Sequence, residues 1–323
     1  MTHVLEFNRE ERKKWLIKKE KATKKATKED AKQKATLPPS GFKVAMHEIV
    51  RSKSALTALI IIIVILLFTF GGSLFLNRAQ VTEMNIADSY YGWGEAGHLL
   101  GTDDGGRDIL KLLIMGGRNS IMIGISVTVI TEIVGLVVGL VSGYFGGTID
   151  SVIMRIVDFI QILPQMPIII VLTTVIPNYN AVTLVFLIAM FGWTVTARYF
   201  RSFVLSQRGR DYVLASKTSG SSNFKIMFRE VLPNITSMII IDVVLSIAGN
   251  IGIETSLSFL NYGLPSTTPS LGTLIGFAND PVNVINRPWL WLPATILLLV
   301  ISLSINYVGQ ALQRAGDARQ REN

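Results

Sequence analysis

The sequence predicts an all-α membrane protein with six transmembrane helices and both termini on the cytoplasmic side. Hydrophobic residues make up 49% of the 323 residues and charged residues only 17%, too apolar a balance for a soluble domain of this length. Six apolar runs recur along the chain, and each can cross a hydrocarbon core of about 30 Å as a helix. Basic residues are concentrated in alternate connections between these runs.

The N-terminal region differs in composition from the rest of the chain. Residues 1–54 contain 15 Lys and Arg against 7 Asp and Glu, which accounts for the whole net charge of +8. Residues 1–41 are predicted to form a Lys-rich cytoplasmic tail, a solvated helix or disordered arm attracted to anionic lipid. Residues 42–54 are predicted to form an interfacial helix. Because the basicity is confined to one tail, binding to nucleic acid is not favoured.

Residues 55–323 are predicted to form the transmembrane domain. Each apolar run is predicted as a helix because a backbone in hydrocarbon must satisfy its own hydrogen bonds. Pro164 and Pro167 predict a kink in the third run, and Gly135, Gly139 and Gly143, spaced four apart, predict close helix contact in the second. The predicted spans are 55–76, 120–143, 153–177, 181–205, 234–257 and 288–310.

Charge in the connections orients the bundle. The outer loop predicted at 77–117 holds three basic residues against six acidic ones, and the outer loop at 258–287 has Arg287 as its single basic residue. The connection at 206–233 is predicted to be cytoplasmic because basic residues cluster in it and its flanks. These are Arg198, Arg201, Arg208, Arg210, Lys217, Lys225 and Arg229.

The connection at 206–233 is patterned as two short helices joined at Gly220. Asp211 is predicted to cap the first helix, and Pro233 to end the second before the next span. Small and apolar residues fall on shared faces: Tyr212, Ala215 and Ser219 on the first helix, and Phe224, Met227, Phe228 and Val231 on the second. Such a pair fits either a groove on a partner protein or the lipid interface.

This segment resembles the cytoplasmic coupling loop of the permeases of ABC importers, whose signature is Glu-Ala-Ala, three residues, Gly and an amphipathic run ending in Leu-Pro. Here Leu214-Ala215-Ser216 leads to Gly220 and then to Leu232-Pro233, so Leu and Ser replace the Glu and the second Ala. Other stretches are similar to oligopeptide and dipeptide permeases of the second-subunit type. They are LGTDDGGRDIL at 100–110, GYFGGTIDSVIMRIVD at 143–158, residues 51–55 and ETSLSFLNYGLPSTTPSLG at 254–272.

The resemblance implies a type I ABC importer permease that forms half of the pathway of a peptide importer in the bacterial inner membrane. It implies a companion permease, an extracytoplasmic binding protein and two cytoplasmic ATPase subunits that bind ATP and Mg. Related permeases that import nickel complexes share the same pattern. The ATPase contacts it implies are Asp211, Tyr212, Leu214, Ala215, Ser216, Gly220, Phe224, Met227, Phe228 and Pro233.

Chemistry within the chain is not expected. No Gly-Lys pair occurs, so the sequence lacks a phosphate-binding loop of the Walker type, and no cofactor is expected in this chain. Without cysteine, and with His3, His47 and His98 far apart, no metal site is predicted. The rival functions are an ion-coupled secondary transporter and a membrane-embedded enzyme such as a lipid hydrolase; the latter lacks a cluster of catalytic residues.

Acidic residues in the spans and at the outer face are further candidates. Glu132 and Asp242 are candidates for lining the substrate pathway, against the alternative that they pair between helices. Asp158 is expected to pair with Arg155. The acids of residues 101–108 do not keep the spacing of an EF-hand calcium loop. The resemblance instead implies contact with the binding protein through Asp103, Asp104, Arg107, Asp108 and Tyr262.

Overall fold

The computed structural model describes residues 50, 52–265 and 267–321. The predictions for the Lys-rich tail, and for most of residues 42–54, lie outside these residues. The described chain is built from α-helices, two of which contain a π-helical turn, and short 3-10 turns. The α-helices are α1 Lys53–Leu74, α2 Arg78–Thr82, α3 Ile109–Phe145, α4 Gly147–Ile162, α5 Gln165–Val175, α6 Ala181–Arg208, α7 Asp211–Thr218, α8 Asn223–Phe259, α9 Leu271–Ile275, α10 Pro281–Asn286 and α11 Leu292–Arg321.

The spanning helices confirm the predicted all-α fold. Within the described residues, five helices are long and apolar enough to cross a membrane: α1, α3, α6, α8 and α11. Helices α4 and α5 make a sixth if they count as one span, because they pass the same test together and are bent by 73° at the break between them. The bend lies at Leu163 and Pro164, whose backbones are extended, as the predicted kink requires.

Several helices begin or end away from the predicted span boundaries. Helix α3 begins at Ile109 and not at 120, because Leu112, Leu113 and Met115 are buried in a hydrophobic core although Lys111 and Arg118 interrupt the apolar pattern. Asp108 caps this helix by accepting a hydrogen bond from the Lys111 backbone N–H at 3.1 Å. The last span begins at Leu292 and not at 288, because Pro288–Leu290 forms a 3-10 turn.

Pro233 does not end a helix, contrary to the sequence prediction. Helix α8 runs from Asn223 to Phe259 and contains a π-helical turn at Met227–Val231, immediately before the proline. A proline inside a helix removes one backbone hydrogen bond and crowds the preceding turn, and the wider π turn accommodates both effects. The second short helix of the prediction is therefore the first part of a span.

The order of the helices gives the bundle two distinct ends. Helices α3 and α6 run parallel, because Gly135 packs on Thr196 and Gly143 on Val204. We call the end that carries residues 75–108 and 260–291 the loop end. The opposite end carries residues 211–233, which we call the hairpin segment, and we call it the hairpin end. Buried clusters lie toward both ends, including one with Ile109 at the loop end and one with Val213 at the hairpin end.

Candidate functional site

The hairpin segment presents an apolar ridge to the outside. Leu214 on α7 and Phe224 and Phe228 on α8 are 48%, 69% and 39% exposed. The two phenylalanine rings lie 4.5 Å apart between centroids. Gly220 has a φ of +78°, the left-handed conformation that glycine adopts without strain, and it turns the chain between α7 and α8. We call Leu214, Phe224 and Phe228 the exposed ridge.

The opposite side of the segment is fixed to the bundle. Val213, Ile226 and Val231 are fully buried against the ends of α3 and α6. The Tyr144 hydroxyl of α3 donates to Asn223 Oδ1 at 2.9 Å. Pattern reasoning did not single out Val213 or Ile226 as anchors, because short helices give too few turns to separate an inner from an outer face.

The predicted coupling residues therefore divide into three groups. Met227 is buried and supports the ridge from inside, and seven residues are exposed. The exposed residues are Asp211, Leu214, Ala215, Gly220, Phe224, Phe228 and Pro233. Tyr212 and Ser216 are half-buried and bond within the protein: the Tyr212 hydroxyl donates to Gln207 Oε1 at 3.1 Å, and Ser216 donates to Glu230.

The sequence predicts Asp211 as the cap of α7, but it does not cap this helix. The residue that precedes the helix is Arg210, which has an extended backbone, and Asp211 is the first helical residue. No side chain accepts a hydrogen bond as the cap of this helix. The Asp211 carboxylate lies in the first turn, where its negative charge still interacts favourably with the positive end of the helix dipole.

Three glycines bring the neighbouring helices into close contact. A Cβ atom placed on Gly139 would lie 2.6 Å from the Ala197 carbonyl oxygen, and one on Gly143 would lie 2.8 Å from the Val204 Cβ. Helices α3 and α6 thus pack backbone against backbone, as the glycine spacing predicted. The hairpin segment rests on the ends of these same two helices.

An ion pair holds the start of α4 on this block. Arg201 of α6 donates from two guanidinium nitrogens to Asp150, which also accepts from Ser142 of α3. The Asp150 side chain is 13% exposed, so removing either partner would leave a nearly buried charge without its counter-ion.

The predicted pairing of Asp158 with Arg155 was wrong. Asp158 of α4 accepts a hydrogen bond from the guanidinium of Arg198 on α6, forty residues along the chain. Arg155 lies on α4 itself, three residues before Asp158, and is not within ion-pair distance of an acid in the described part of the chain. Sequence proximity favoured the wrong arginine, because only the packing of α4 on α6 reveals the partner.

Helices α3 and α8 meet along a line of polar side chains. The Asn250 side-chain amide donates to Thr128 Oγ1 at 2.9 Å between the two helices. Closer to the loop end, the fully buried Glu254 interacts with Ser120 of α3. Because buried polar groups in a membrane need partners, this line fixes the relative position of α3 and α8.

Glu132 and Asp242 belong to the same line, nearer the hairpin end. Glu132 is 6% exposed, and its carboxyl group faces the Asp242 carboxyl group and the Ser246 hydroxyl. Both Glu132 oxygens and Asp242 Oδ2 are buried and make no hydrogen bond of good geometry with the described residues. Two carboxyl groups therefore face each other between two spans. Their contact with a passing substrate stays a prediction.

The predicted outer-face residues also divide into supporting and exposed groups. Asp103 is fully buried and accepts from the backbone N–H groups of Gly105 and Arg107, both at 2.9 Å, and from Arg107 Nε at 2.6 Å. Burial raises the pKa of the Asp103 carboxyl group, and its interactions with Arg107 oppose that shift. Asp108 caps α3 and lies 2.8 Å from His98 Nδ1.

Asp104 and Tyr262 remain accessible at the loop end. The side chain of Asp104 is 57% exposed and Tyr262 is 39% exposed. Both border a cavity of about 690 Å³ that is also lined by Tyr179 and Asn261. Among the described residues, no group of three or more His, Cys, Asp or Glu side chains is placed to hold a metal ion.

Comparison with known proteins places this architecture among transport permeases. Residues 135–322 match the family model described as binding-protein-dependent transport system inner membrane component. The chain is 46% identical to the oligopeptide transport system permease protein OppC of Lactococcus lactis subsp. cremoris (strain SK11), over 85% of this chain and 93% of that protein.

Two other relatives extend this likeness. The OppC protein of Bacillus subtilis (strain 168) is 31% identical over 91% of this chain and 94% of its own length. The dipeptide transport system permease protein DppC of Lactococcus lactis subsp. cremoris (strain MG1363) is 35% identical over 70% of this chain and 65% of its own.

Proposed function

The chain belongs to the family of binding-protein-dependent transport system inner membrane components, and we propose that it forms half of the translocation pathway of an ATP-driven peptide importer. It is a multi-pass membrane permease subunit. Peptide cargo is supported by the relatives, which are named as oligopeptide and dipeptide permeases. We place the protein in the bacterial inner membrane with its hairpin end in the cytoplasm, because that end carries the basic residues.

The exposed ridge is the observation that supports coupling to a motor protein. Leu214, Phe224 and Phe228 form an apolar surface on a segment whose other side is anchored in the bundle. The sequence has no phosphate-binding loop, so ATP and Mg would be bound by two cytoplasmic ATPase subunits. The ridge would sit in a groove of one ATPase, and a companion permease would supply the other coupling segment.

Closure of the ATPases would move the hairpin segment together with the helices on which it rests. Helix α8 begins inside the segment, so the segment and the span move as parts of one helix. The glycine contacts between α3 and α6 and the Asp150–Arg201 pair would carry the displacement to the rest of the block. This coupling between two distant sites switches the pathway between inward-open and outward-open states.

At the loop end, the docking surface for a substrate-binding protein would use Asp104 and Tyr262. These two side chains are accessible, whereas Asp103 pairs with Arg107 and Asp108 caps α3. In this proposal the buried acids keep the loop in shape, and the exposed pair makes the contact.

Co-purification tests the proposed coupling. The chain is expressed with its companion permease and ATPases, and the ATPase retained on the tagged permease is measured together with ATP-dependent peptide uptake. Phe224→Glu places a charge on the exposed ridge and is expected to reduce both retention and uptake by on the order of tenfold or more, because an unpaired charge disrupts an apolar interface.

Leu99→Glu is the matched control. Leu99 is 71% exposed at the loop end, so the same change of charge is made on the opposite end of the bundle. It is expected to leave ATPase retention at the wild-type level. Full retention in Phe224→Glu, or equal loss in the two variants, would contradict the proposed coupling surface.

A further inference from the structure

Three charged side chains lie exposed on one side of the bundle, away from both of its ends. Asp158 of α4 and Arg198 of α6 form an ion pair whose side chains are 55% and 50% exposed. Arg155 is exposed next to them on α4. We call Arg155, Asp158 and Arg198 the charged cluster.

The charged cluster lies deep in the span. Arg198 is ten residues before Arg208, the last residue of α6, which places it about 15 Å from that helix end at 1.5 Å per residue. Asp158 is eleven residues after Gly147, the first residue of α4, or about 16 Å from the same end of the bundle. The cluster therefore lies well inside both helices and away from their ends, within reach of a hydrocarbon core of about 30 Å.

Lipid is an unsuitable neighbour for these side chains. Charged groups at the centre of a bilayer are costly and face the interior of a bundle or a water-filled cavity. Here the ion pair is half exposed, so the rest of this chain does not shield it. The face that carries the cluster must therefore be covered by protein or by water in the assembled transporter.

The pattern of α4 favours water. Its buried side carries Asp150 and Val157. A second, apolar stripe is exposed and suits lipid or a companion subunit: Ile149, Val152, Ile156 and Phe159. A third stripe, turned by about 100° from the second on a helix of 3.6 residues per turn, is exposed and polar: Thr148, Ser151, Arg155 and Asp158.

A matching polar stripe follows α6. Ser206, Ser202 and Arg198 are exposed at four-residue spacing, from the hairpin end inward. The two polar stripes meet at the ion pair of Asp158 with Arg198. Continuous polar surface from one end of the bundle to mid-depth is typical of the wall of a water-filled vestibule, and less so of an interface between two apolar helices.

The cluster carries a net positive charge, since two arginines and one aspartate sum to +1. Asp158 holds Arg198, and Arg155 has no acid within ion-pair distance in the described residues. Guanidinium groups bind carboxylates through charge-assisted hydrogen bonds. The free arginine is therefore suited to an anionic group that passes along the wall.

We propose that the charged cluster lines the translocation pathway and that Arg155 contacts carboxylate groups of the peptide in transit. This inference rests on the proposed function and deepens it, because it assigns a place and a ligand chemistry on the pathway. Arg198 is neutralised by Asp158, so this pair keeps the wall polar without attracting a second carboxylate.

Cysteine accessibility tests the position of the stripes, and the chain has no native cysteine to remove. Ser151→Cys and Ser202→Cys place thiols on the polar stripes, and Val152→Cys and Val195→Cys place matched thiols on exposed apolar positions of the same helices. A charged methanethiosulfonate reagent is added to the assembled complex. Modification of the two serine positions, at least about tenfold faster than of the two valine positions, is expected because thiolates form in water.

Equal rates at all four positions, or faster reaction at the valine positions, would overturn the assignment of the polar stripes to the pathway. A pathway wall that is instead covered by the companion permease would leave both serine positions unreactive, which also overturns it.

Peptide uptake tests the role of Arg155. Paired cargo peptides differ only by Glu or Gln at one position, and the ratio of their ATP-dependent uptake rates is compared in wild-type complex, Arg155→Gln and Arg155→Lys. Arg155→Gln is expected to lower the Glu-to-Gln ratio by about threefold to fivefold, the size of a solvent-exposed ion pair, and Arg155→Lys to retain it.

The two proposals fail in different ways. If the wild-type complex shows no ATP-dependent peptide uptake while its ATPases remain bound, peptide transport itself is wrong. If the wild type transports peptides and Arg155→Gln leaves the Glu-to-Gln ratio unchanged, the proposed contact is wrong and the peptide importer stands.

Discussion

The Ser216 hydroxyl donates a hydrogen bond to Glu230 Oε1 at 2.6 Å, across the bend at Gly220. This bond joins α7 to the π-helical turn of α8 and so sets the angle between the two halves of the exposed ridge. Glu230 Oε2 has no hydrogen-bond partner among the described residues, so Ser216 provides the hydrogen bond that this side chain accepts.

Replacing Ser216 by alanine is expected to loosen α7 without unfolding the protein. The Glu230 carboxylate would lose a charge-assisted hydrogen bond, which contributes about 1.5 to 3 kcal/mol. Hydrogen exchange of the backbone amides of residues 211–220 measures the effect, and we expect exchange at least about tenfold faster than in the wild type.

Ser219→Ala is the control for this variant. The Ser219 hydroxyl bonds the Ala215 carbonyl of its own helix at 2.8 Å and makes no described bond to α8. Its removal is expected to leave the exchange of residues 211–220 nearly unchanged. Similar exchange in the two variants would show that the Ser216–Glu230 bond does not fix the segment.

Gly139→Ala is expected to destabilise the contact between α3 and α6. The added Cβ would lie 2.6 Å from the Ala197 carbonyl oxygen and 3.0 Å from the Arg201 nitrogen, which are backbone atoms, so the helices must separate. Overpacking of this kind costs about 1 to 3 kcal/mol, more than the roughly 1 kcal/mol by which alanine exceeds glycine in helix propensity. Thermal unfolding in detergent measures the loss.

Gly252→Ala, in helix α8, is the control for Gly139→Ala and is not expected to destabilise the protein. A Cβ on Gly252 would meet no atom within 4 Å. This variant is therefore expected to be as stable as the wild type or slightly more stable. Destabilisation by Gly252→Ala but not by Gly139→Ala would contradict the packing described for α3 and α6.

The fold was largely predictable from the sequence because a membrane leaves few choices. A helix satisfies its own backbone hydrogen bonds, so each apolar run could be predicted as a spanning helix. The prolines predicted the bend at Pro164. The glycine spacing identified the tight contact of α3 with α6. The start of α3 was not predicted, because the charged Lys111 lowers the average hydropathy there. Ile109 and Leu112 are nevertheless buried in the core at the loop end.

The site was predictable only in outline. The motif located the hairpin segment, but its short helices did not reveal that Met227 points inward while Phe228 points outward. The pairing of Asp158 with Arg198 depends on the contact of two helices, which sequence spacing does not encode. The same holds for Asp103, whose burial against Arg107 gives it a supporting role.

The buried Asp103 carboxyl group predicts that the stability of the protein depends on pH. Burial raises the pKa of this carboxyl group above its ordinary value of 3.8, so the folded state binds its proton more tightly than the unfolded state does. The contribution of Asp103 to the free energy of unfolding is therefore fully present below pH 3.8 and falls as the pH rises through the raised folded pKa.

The measurement is the thermal stability of the wild type relative to Asp103→Asn across this pH range. The difference in favour of the wild type is expected to decrease as the pH rises. Glu83→Gln, at an exposed position of the loop end, is the control and is expected to give a difference from the wild type that does not follow this trend. A difference that instead grows with pH would show that Arg107 outweighs burial at Asp103.

Variants of Glu132 and Asp242 can distinguish a structural role of these two residues from a role in transport. Two buried acceptors face each other between α3 and α8, and Glu132→Gln would supply amide N–H donors of the same size at the same place. We expect this variant to be more thermally stable than the wild type, by about 1 kcal/mol for the hydrogen bond gained. Glu132→Leu offers no donor and serves as the comparison.

Uptake of basic, neutral and acidic peptides is measured on Glu132→Gln combined with Asp242→Asn. If the two acids line the pathway, the ratio of basic to acidic peptide uptake falls in the double variant. An unchanged ratio combined with a stabilised Glu132→Gln would assign the pair to helix packing alone, and the charged cluster on α4 and α6 would then be the remaining candidate for contact with charged cargo.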